Sequence, residues 1–259
     1  MNYGIQISAS GVQTALHRQD VLANNLANIN TPGFKADIPA TVSRRAAREE
    51  DGLFSLPSNK LLEKLGAGVL AAPPKSEFEQ GPIEANGGPL DLAIKGRGFF
   101  VVRDSTSGTA NTVRLTRDGR FSRDGSGRLV MAATGMPVLD AANQPIVISG
   151  TGAVAIDGDG TIRQNGQQVG KIAVVDVADY SGLNKVGNNL FRASASALSS
   201  KRPASGEVMQ HAVEHSSVDE VSTIMAITEA GRDVEINMSM VAYQDRMNER
   251  AINSLARVV

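Results

Sequence analysis

The N-terminal segment repeats its hydrophobic positions with the period of an α-helix. Four positions recur every seven residues: Ile5, Val12, Gln19 and Leu26. Small and aliphatic side chains widen this stripe to one helix face: Ala9, Ala15, Leu16, Leu22, Ala23 and Ile29. The spacing predicts a helix over residues 3–30. Thr31-Pro32 should end it, because proline lacks an amide proton and disfavours the helical conformation of the residue before it.

The C-terminal segment carries a second helical repeat, in which spacings of three and four residues alternate. Its apolar positions are Ile224, Ile227, Val234, Met238, Val241, Ile252 and Leu255, and Gly231, Asp245 and Asn248 fall in the same register. This pattern predicts a helix over residues 217–259 with a seam of the coiled-coil type. Ser216 and Ser217 are candidate N-caps, and the acidic residues Asp219 and Glu220 suit the first turn.

The middle of the chain has the short apolar runs and turns of an antiparallel β domain. Alternating or continuous apolar positions occur at Leu90–Ile94, Phe99–Val102, Val113–Leu115, Leu129–Met131, Ile146–Ile148, Val154–Ile156 and Ile172–Val177. Glycine- and asparagine-rich turn sequences separate many of these runs, as at Asp118-Gly119 and Asn165-Gly166. Many short strands at close spacing are typical of an all-β domain with antiparallel pairing.

These patterns predict an α+β fold, with a coiled-coil-like helical domain built from both chain termini and a central antiparallel all-β domain. We divide the chain into an N-terminal helix (1–35), an extended connector (36–80), a central β domain (81–205) and a C-terminal helix (206–259). The connector combines a charged run with several prolines. Two helices at opposite ends of a chain, each too apolar to stand alone in water, indicate packing against each other and self-assembly.

Composition narrows the functional classes. The formal net charge is −1 and the pI is near 6.3, which gives no long-range field for nucleic acid or an anionic membrane. Cysteine is absent, so disulfides and thiolate metal sites are excluded. We expect no cleaved secretory signal and no transmembrane helix, because the N-terminus lacks a basic and apolar leader and no long apolar run occurs.

One segment departs from ordinary helix composition. ANNLANINTPGFK, from Ala23 to Lys35, contains Asn24, Asn25, Asn28 and Asn30, although asparagine is a poor helix former. Asn24 and Asn28 lie one turn apart, away from the apolar stripe. They could face solvent, or they could face neighbouring chains, where an amide both donates and accepts hydrogen bonds. The candidate assembly motif is Asn24, Asn25, Leu26, Asn28, Thr31, Pro32, Gly33 and Phe34.

The same segment resembles the N-terminal motif of the bacterial flagellar axial proteins, which form the rod, the hook and the hook-associated structures. Further stretches resemble this family, in family order: GRGFFVV, LTRDGRFSRDGSGRLVMAATGMPVL, DGDGTI, VGNNLFRAS, SGEVMQHAVEHSSVD and TEAGRDVEIN. The chain departs from the family pattern at His211, Ser217, Gly231 and Val234. The length resembles that of the proximal or distal rod branch. A hook or hook-associated subunit is the alternative, although the hook subunit carries additional outer domains.

The resemblance implies a structural subunit and no enzyme. Family members stack helically, as homo-oligomers, into the hollow tube that transmits motor torque through the periplasm. The implied partners are copies of this chain, other flagellar rod and hook proteins and the flagellar type III export apparatus. No nucleic acid, no direct membrane insertion and no cofactor are expected. The implied location is the periplasmic rod of the flagellar basal body, reached without a cleaved signal peptide.

Other patterns suggest rival functions. HAVEH, from His211 to His215, matches the H-x-x-E-H pattern of zinc peptidases, which requires a helix. A zinc-dependent hydrolase is therefore a remote alternative, with His17 as the other histidine of the chain. The acidic turns at Asp124 and Asp157 lack the spacing of a calcium loop and are typical of hairpins. A carbohydrate-binding β protein would account for the middle of the chain but not for its terminal helices.

Overall fold

The structure is a computed structural model that describes residues 3–50, 52, 65–104, 112–150, 152–194, 197 and 202–255. The chain divides into two units, each assembled from separate segments. The helical unit comprises Met1–Ala27, Asp37–Lys75 and Asp219–Val259, and the β unit comprises Asn28–Ala36 and Ser76–Val218. Both strands and helices are present, in agreement with the predicted α+β class.

The helical unit contains both predicted terminal helices. The first ends three residues earlier, and the second begins three residues later, than its sequence pattern predicts. Helix α1 spans Tyr3–Ala27 and helix α3 spans Glu220–Leu255. The two-stranded sheet of β1 (Asp37–Ser43) and β2 (Val69–Ser76) and the short helix α2 (Ala47–Glu50) come from the predicted connector. The rest of that connector includes residues 51 and 53–64, which lie outside the described residues.

The serine N-caps predicted for the C-terminal helix are wrong. The carboxylate of Asp219 accepts a hydrogen bond from the Ser222 amide at 2.7 Å, which is the geometry of an N-cap. Ser216 lies in the preceding segment, where its hydroxyl accepts from the Val218 amide, and the Ser217 hydroxyl accepts from the Ala36 amide. An aspartate cap adds a favourable negative charge at the positive end of the helix.

The β unit is built from short strands whose pairings are antiparallel, as the sequence predicts. Its largest sheet has the strand order β13-β14-β6-β5-β12-β15, a smaller one has the order β11-β10-β9, and the remaining pairs are β16-β4, β17-β3 and β7-β8. The strands are β3 (Ile83–Ala85), β4 (Leu92–Lys95), β5 (Phe99–Asp104), β6 (Thr112–Thr116), β7 (Phe121–Arg123), β8 (Leu129–Met131), β9 (Val154–Ile156), β10 (Thr161–Gln164), β11 (Gln167–Lys171), β12 (Val174–Asp176), β13 (Leu183–Lys185), β14 (Leu190–Ala193), β15 (Arg202–Pro203), β16 (Glu207–Gln210) and β17 (Ala212–Glu214).

Strand β5 lies between two hydrophobic clusters, which explains its continuous apolar sequence. Phe99 and Val101 point into one cluster, and Phe100 and Val102 point into the other. Successive side chains of a strand face opposite sides of a sheet, so a strand covered on both sides needs an apolar residue at each position. The β unit therefore has core packing on both faces of its central strand.

The predicted strand over Ile146–Ile148 is not a regular strand, although Ile146 and Ile148 are buried. The Ile146 amide donates to the Val138 carbonyl, whereas the Ile148 amide donates to the Gly127 carbonyl. The segment thus changes its pairing partner within two residues and forms no continuous ladder.

Among the residues that the structure describes, no helix is long and apolar enough to span a bilayer.

Candidate assembly site

The two long helices pack closely because α1 presents glycine to polar side chains of α3. A Cβ atom at Gly4 would lie 2.8 Å from Nε2 of Gln244, and one at Gly11 would lie 2.6 Å from Oδ1 of Asn237. Both distances are shorter than a real Cβ contact, so a larger residue at either position would require the facing Gln244 or Asn237 side chain to move. The side chain of Ala230 is fully buried.

The buried and half-buried side of α3, which includes Asn237 and Gln244 opposite the α1 glycines, follows a seven-residue repeat. Thr223, Ala230, Asn237 and Gln244 form one series, and the half-buried Ile227, Val234, Val241 and Asn248 form the other. The second series belongs to the predicted seam. Of the other predicted seam residues, Ile224, Met238 and Ile252 are exposed in the single chain, and the Leu255 side chain lies outside the described part. The first series lies one residue before the predicted positions 224, 231, 238 and 245. Since one residue corresponds to a rotation of about 100° about the helix axis, these buried positions lie about 100° from the predicted ones.

Ion pairs at the edge of this contact join the same helices. Nη2 of Arg18 lies 3.3 Å from the Glu229 carboxylate, and Nη1 lies 3.8 Å from that of Asp233. All of these side chains are substantially exposed to solvent, so the pairs contribute little free energy. They explain why Arg18, one of the few charged residues of α1, lies at this edge of the contact.

A different side of α1 is covered by the β1–β2 sheet of the same chain. Asn25 is buried, and its side-chain amide pairs with the backbone of Asp37 in both directions. Nδ2 donates to the Asp37 carbonyl at 2.8 Å, and Oδ1 accepts from the Asp37 amide at 2.9 Å. Near the other end, the Ser10 hydroxyl accepts from the Val69 amide at 3.2 Å. Asn25 therefore acts like a neighbouring strand for β1.

The remaining asparagines of the motif differ from Asn25. The Asn28 side chain accepts a hydrogen bond from the Thr31 hydroxyl at 3.1 Å, and its carbonyl accepts from the Thr31 amide. Asn28 thus stabilises the turn that follows α1. Asn24 is exposed, and Leu26 is half-buried.

The rest of the motif is a tight turn inside the β unit. Gly33 has a φ of 68°, and a Cβ atom there would lie 2.4 Å from the carbonyl carbon of Arg117. Its amide donates to the Glu214 carbonyl at 2.8 Å. Pro32 accepts from the Asn189 amide group at 2.8 Å. Both the conformation and the contact exclude a side chain at Gly33.

A buried charge cluster follows this turn. Nζ of Lys35 lies 2.5 Å from Oε1 of Glu214, and Nη1 of Arg117 lies 3.0 Å from Oε2 of the same carboxylate. The Gly81 amide also donates to Glu214, and Lys35 donates to the Glu79 carbonyl at 2.6 Å. Burial lowers the pKa of Lys35, and the neighbouring Glu214 carboxylate opposes that effect.

The cluster lies where three distant chain segments meet within the β unit. The Ala36 carbonyl accepts from the Glu77 amide, and the Ser217 amide donates to the Phe34 carbonyl. We call the segments 28–36, 76–82 and 214–218 the junction. They include all four residues at which the β unit is covalently continuous with the helical unit. The sequence pattern does not indicate this cluster, because residues 35, 117 and 214 lie far apart in the chain and share no local pattern.

The stretch HAVEH does not have the geometry of a zinc site. Residues Ala212–Glu214 form β17 instead of a helix, and His211 has a φ of 62°. Glu214 is bound by Lys35 and Arg117, and His215 pairs with Glu84. In the described ranges of the chain, no group of three or more histidine, aspartate or glutamate side chains could hold a metal ion. HAVEH therefore does not form the zinc-binding helix on which the hypothesis of a zinc-dependent hydrolase depended, and that hypothesis has no support in this structure.

The acidic turns are hairpins whose carboxylates are already bound. Asp159 lies 2.7 Å from Nζ of Lys171, and Asp157 lies 2.7 Å from Nε of Arg163. Hydrogen bonds from Lys171 and Thr161 lower the pKa of Asp159. Asp124 accepts from the Ser126 amide and pairs with Arg128. These contacts stabilise the turns themselves.

Helix α3 also carries an exposed apolar stripe, which we call the outer stripe. It consists of Ile236, Met240, Tyr243 and Met247, each at least 50 % exposed. The spacings of four, three and four residues place these side chains on one face. At about 100° per residue, that face points away from the side that contacts α1. The helix therefore has an apolar side that its own chain leaves exposed, besides the side that contacts α1.

Comparison with known proteins agrees with this geometry. A family model described as "Flagella basal body rod protein" matches residues 5–35, and one described as "Flagellar hook protein FlgE/F/G D1 domain" matches residues 93–164. The first includes most of α1 and the turn after it, and the second lies in the β unit.

Full-length relatives extend the similarity to the whole chain. The flagellar basal-body rod protein FlgF of Caulobacter vibrioides is 32 % identical over 100 % of both chains. FlgG of the same organism is 30 % identical over 94 % of this chain and 95 % of its own. FlgG of Bacillus subtilis (strain 168) is 28 % identical over 94 % and 96 %. The chain thus belongs to the family of bacterial flagellar basal-body rod proteins and is a structural subunit of that rod.

Proposed function

We propose that this subunit assembles with copies of itself into a helical, hollow tube that transmits motor torque through the periplasm. The outer stripe of α3 is the observation that carries the proposal. Ile236, Met240, Tyr243 and Met247 form an apolar face that the subunit leaves in contact with water. Contiguous exposed apolar surface favours association, since burying it removes the cost of hydrating it.

The paired helices are proposed to act as one coiled-coil-like element. The seven-residue repeat on α3 and the glycines of α1 support this interpretation. The predicted seam residues that are exposed in the single chain, Ile224, Met238 and Ile252, would then contact neighbouring subunits. Asn24, which is exposed on α1, would do the same. The assembly motif thus has an in-chain part, represented by Asn25 and Gly33, and a part that is available to neighbours.

The partners follow from membership of the rod family. We infer contacts with other rod proteins and with hook proteins, and delivery by the flagellar type III export apparatus without a cleaved signal peptide. The periplasmic part of the basal body is the proposed location. The weak net charge of −1 is compatible with close packing of many copies, because it creates little mutual repulsion.

A charge placed in the outer stripe tests the assembly proposal. Tyr243→Asp should abolish rod assembly and swimming, because a buried unpaired carboxylate costs several kcal/mol at each subunit contact. Folding of the subunit should be retained, since Tyr243 is exposed in the single chain. Motility in soft agar and electron microscopy of isolated basal bodies measure the outcome.

Ser239→Asp is the matched control. Ser239 is also exposed, but it lies outside the outer stripe and outside the series of Ile224, Met238 and Ile252. This variant adds the same charge and should assemble and swim. Equal motility of the two variants at equal protein levels would contradict the role given to the outer stripe.

A further inference from the structure

The methionines of this protein are unevenly distributed. Half of the eight methionines are exposed on α3: Met225 (68 %), Met238 (58 %), Met240 (50 %) and Met247 (54 %). By contrast, Met131 and Met136 are buried in the core of the β unit. Met209, on β16, is 38 % exposed. Exposed thioethers are open to oxidation by solution oxidants, whereas buried ones are shielded by the surrounding side chains.

We propose that Met240 and Met247, the α3 methionines of the outer stripe, form a reversible oxidation site, and that their oxidation prevents subunit association. The oxidant is a peroxide such as hydrogen peroxide. The thioether sulfur attacks one peroxide oxygen, an S–O bond forms, the O–O bond breaks, and water leaves. The sulfur is oxidised by two electrons to the sulfoxide, and the peroxide is reduced. Thiol-dependent sulfoxide reductases restore the thioether, with separate enzymes for the two epimers.

The consequence follows from the location of the sulfurs. Met240 and Met247 lie in the outer stripe with Ile236 and Tyr243. A sulfoxide converts a flexible apolar side chain into a polar one with a strong hydrogen-bond acceptor. In an apolar contact, that acceptor would lose water without gaining a donor. Each sulfoxide buried at a subunit contact should weaken association by about tenfold or more.

Assembly should in turn protect the same residues. Once the outer stripe is covered by a neighbouring subunit, peroxide no longer reaches Met240 and Met247. The inference rests on the proposed self-association, and it makes the unassembled subunit the sensitive form. Met131 and Met136 provide internal references, because their burial does not depend on assembly.

The experiment uses the purified full-length chain. Dilute protein is treated with hydrogen peroxide, and sulfoxide at each methionine is followed by peptide mass spectrometry. The α3 methionines should oxidise about tenfold faster than Met131. Self-association is measured by analytical ultracentrifugation before oxidation, after it, and after repair by methionine sulfoxide reductases A and B with dithiothreitol. Association should be lost on oxidation and recovered on repair.

A variant with all four α3 methionines replaced by leucine (Met225→Leu, Met238→Leu, Met240→Leu and Met247→Leu) is the matched control. Leucine conserves volume and apolar character and cannot form a sulfoxide. The variant should associate like the wild type and keep associating after peroxide treatment. Loss of its association under peroxide would assign the effect to another residue and overturn the inference.

The remaining outcomes separate this inference from the proposed function. If fully oxidised wild-type protein associates as strongly as untreated protein, the oxidation site is overturned and the assembly proposal stands. If neither the untreated wild type nor the leucine variant associates at any concentration, the assembly proposal fails, and this inference fails with it.

Discussion

Glu214 illustrates at the residue scale how a buried charge is tolerated. Its carboxylate accepts hydrogen bonds from Lys35, Arg117 and the Gly81 amide, and all three charged side chains are buried. A buried ion costs several kcal/mol in lost hydration, which only well-placed partners offset. These partners come from separate chain segments. The stability of the junction therefore depends on all three segments being in place.

Removing the carboxylate should be more harmful than removing one cation. Glu214→Gln leaves the charges of Lys35 and Arg117 buried without compensation and should lower the free energy of unfolding by about 3–5 kcal/mol. Lys35→Met keeps the Glu214–Arg117 pair and fills a similar volume, so its loss should be clearly smaller. Urea denaturation followed by far-ultraviolet circular dichroism measures both. Equal losses would contradict the central role of Glu214.

The pH dependence of stability should show the lowered pKa of Lys35. An unfolded lysine binds its proton at its ordinary pKa of 10.5, whereas the buried one binds it only at lower pH. As pH falls from 10.5 through the folded pKa, the unfolded state takes up the proton first and the native state loses stability.

Lys35→Met provides the reference for that measurement. The stability of the wild type relative to this variant should rise with pH between neutrality and 10.5, with a slope of at most about 1.4 kcal/mol per pH unit. Urea denaturation of both proteins at a series of pH values measures the difference. A fall in relative stability with rising pH would contradict the assigned direction.

Helix α3 shows at the element scale that one helix can serve two contacts. Its α1-facing side is rich in small and polar residues such as Thr223, Ala230 and Asn237, which allow a close approach. Its outer stripe has larger apolar side chains. The bulky apolar residues of the outer stripe are thus available for contacts with other subunits. The order of so long a helix depends more on packing than on intrinsic helix propensity.

A pair of adjacent residues tests the register of the helix contact. Ala230 is fully buried, while a Cβ atom at Gly231 would meet no atom within 4 Å. Ala230→Asp should therefore lower the stability of the helix pair by about 3 kcal/mol or more, because it buries a charge. Gly231→Asp should change stability by less than about 1 kcal/mol.

Thermal unfolding followed by the helical circular dichroism signal compares these two variants. The wild-type protein and Gly231→Asp should unfold together, and Ala230→Asp should lose helix at lower temperature. If Gly231→Asp were the more damaging change, the seven-residue series through Ala230 would not be the contact.

At the scale of the whole molecule, chain order and spatial order differ. The motif ANNLANINTPGFK is one stretch of sequence, yet Asn25 packs in the helical unit and Gly33 in the β unit. The helical unit combines both ends of the chain with residues 37–75, and the β unit combines residues 28–36 with residues 76–218. The junction consists of the β-unit segments that continue into the helical unit. A substitution that destabilises the junction therefore affects residues that are far apart in sequence.

Local patterns in the sequence determined the elements and the family. A helix or a strand repeats its hydrophobic positions over a few residues, so α1, α3 and six strands (β4, β5, β6, β8, β9 and β12) were predicted within a few residues of their ends, whereas the other strands were not predicted individually. The turn at Pro32 and Gly33 follows equally from backbone chemistry. The motifs that indicate a flagellar axial protein are short contiguous stretches, and they required no knowledge of distant contacts.

The tertiary structure alone decided how these elements meet. The predicted α3 series through Gly231 and the observed series through Ala230 differ by one residue. The period of the hydrophobic positions does not show which of two neighbouring helix sides packs against α1. HAVEH fits a helix by its spacing, but pairing with β3 makes its central residues a strand. The partners of Glu214 are residues 35 and 117, and Asn25 pairs with a strand that no periodic pattern marks. Such contacts depend on where the folded chain brings distant residues together, which is a property of the whole fold and not of any local stretch.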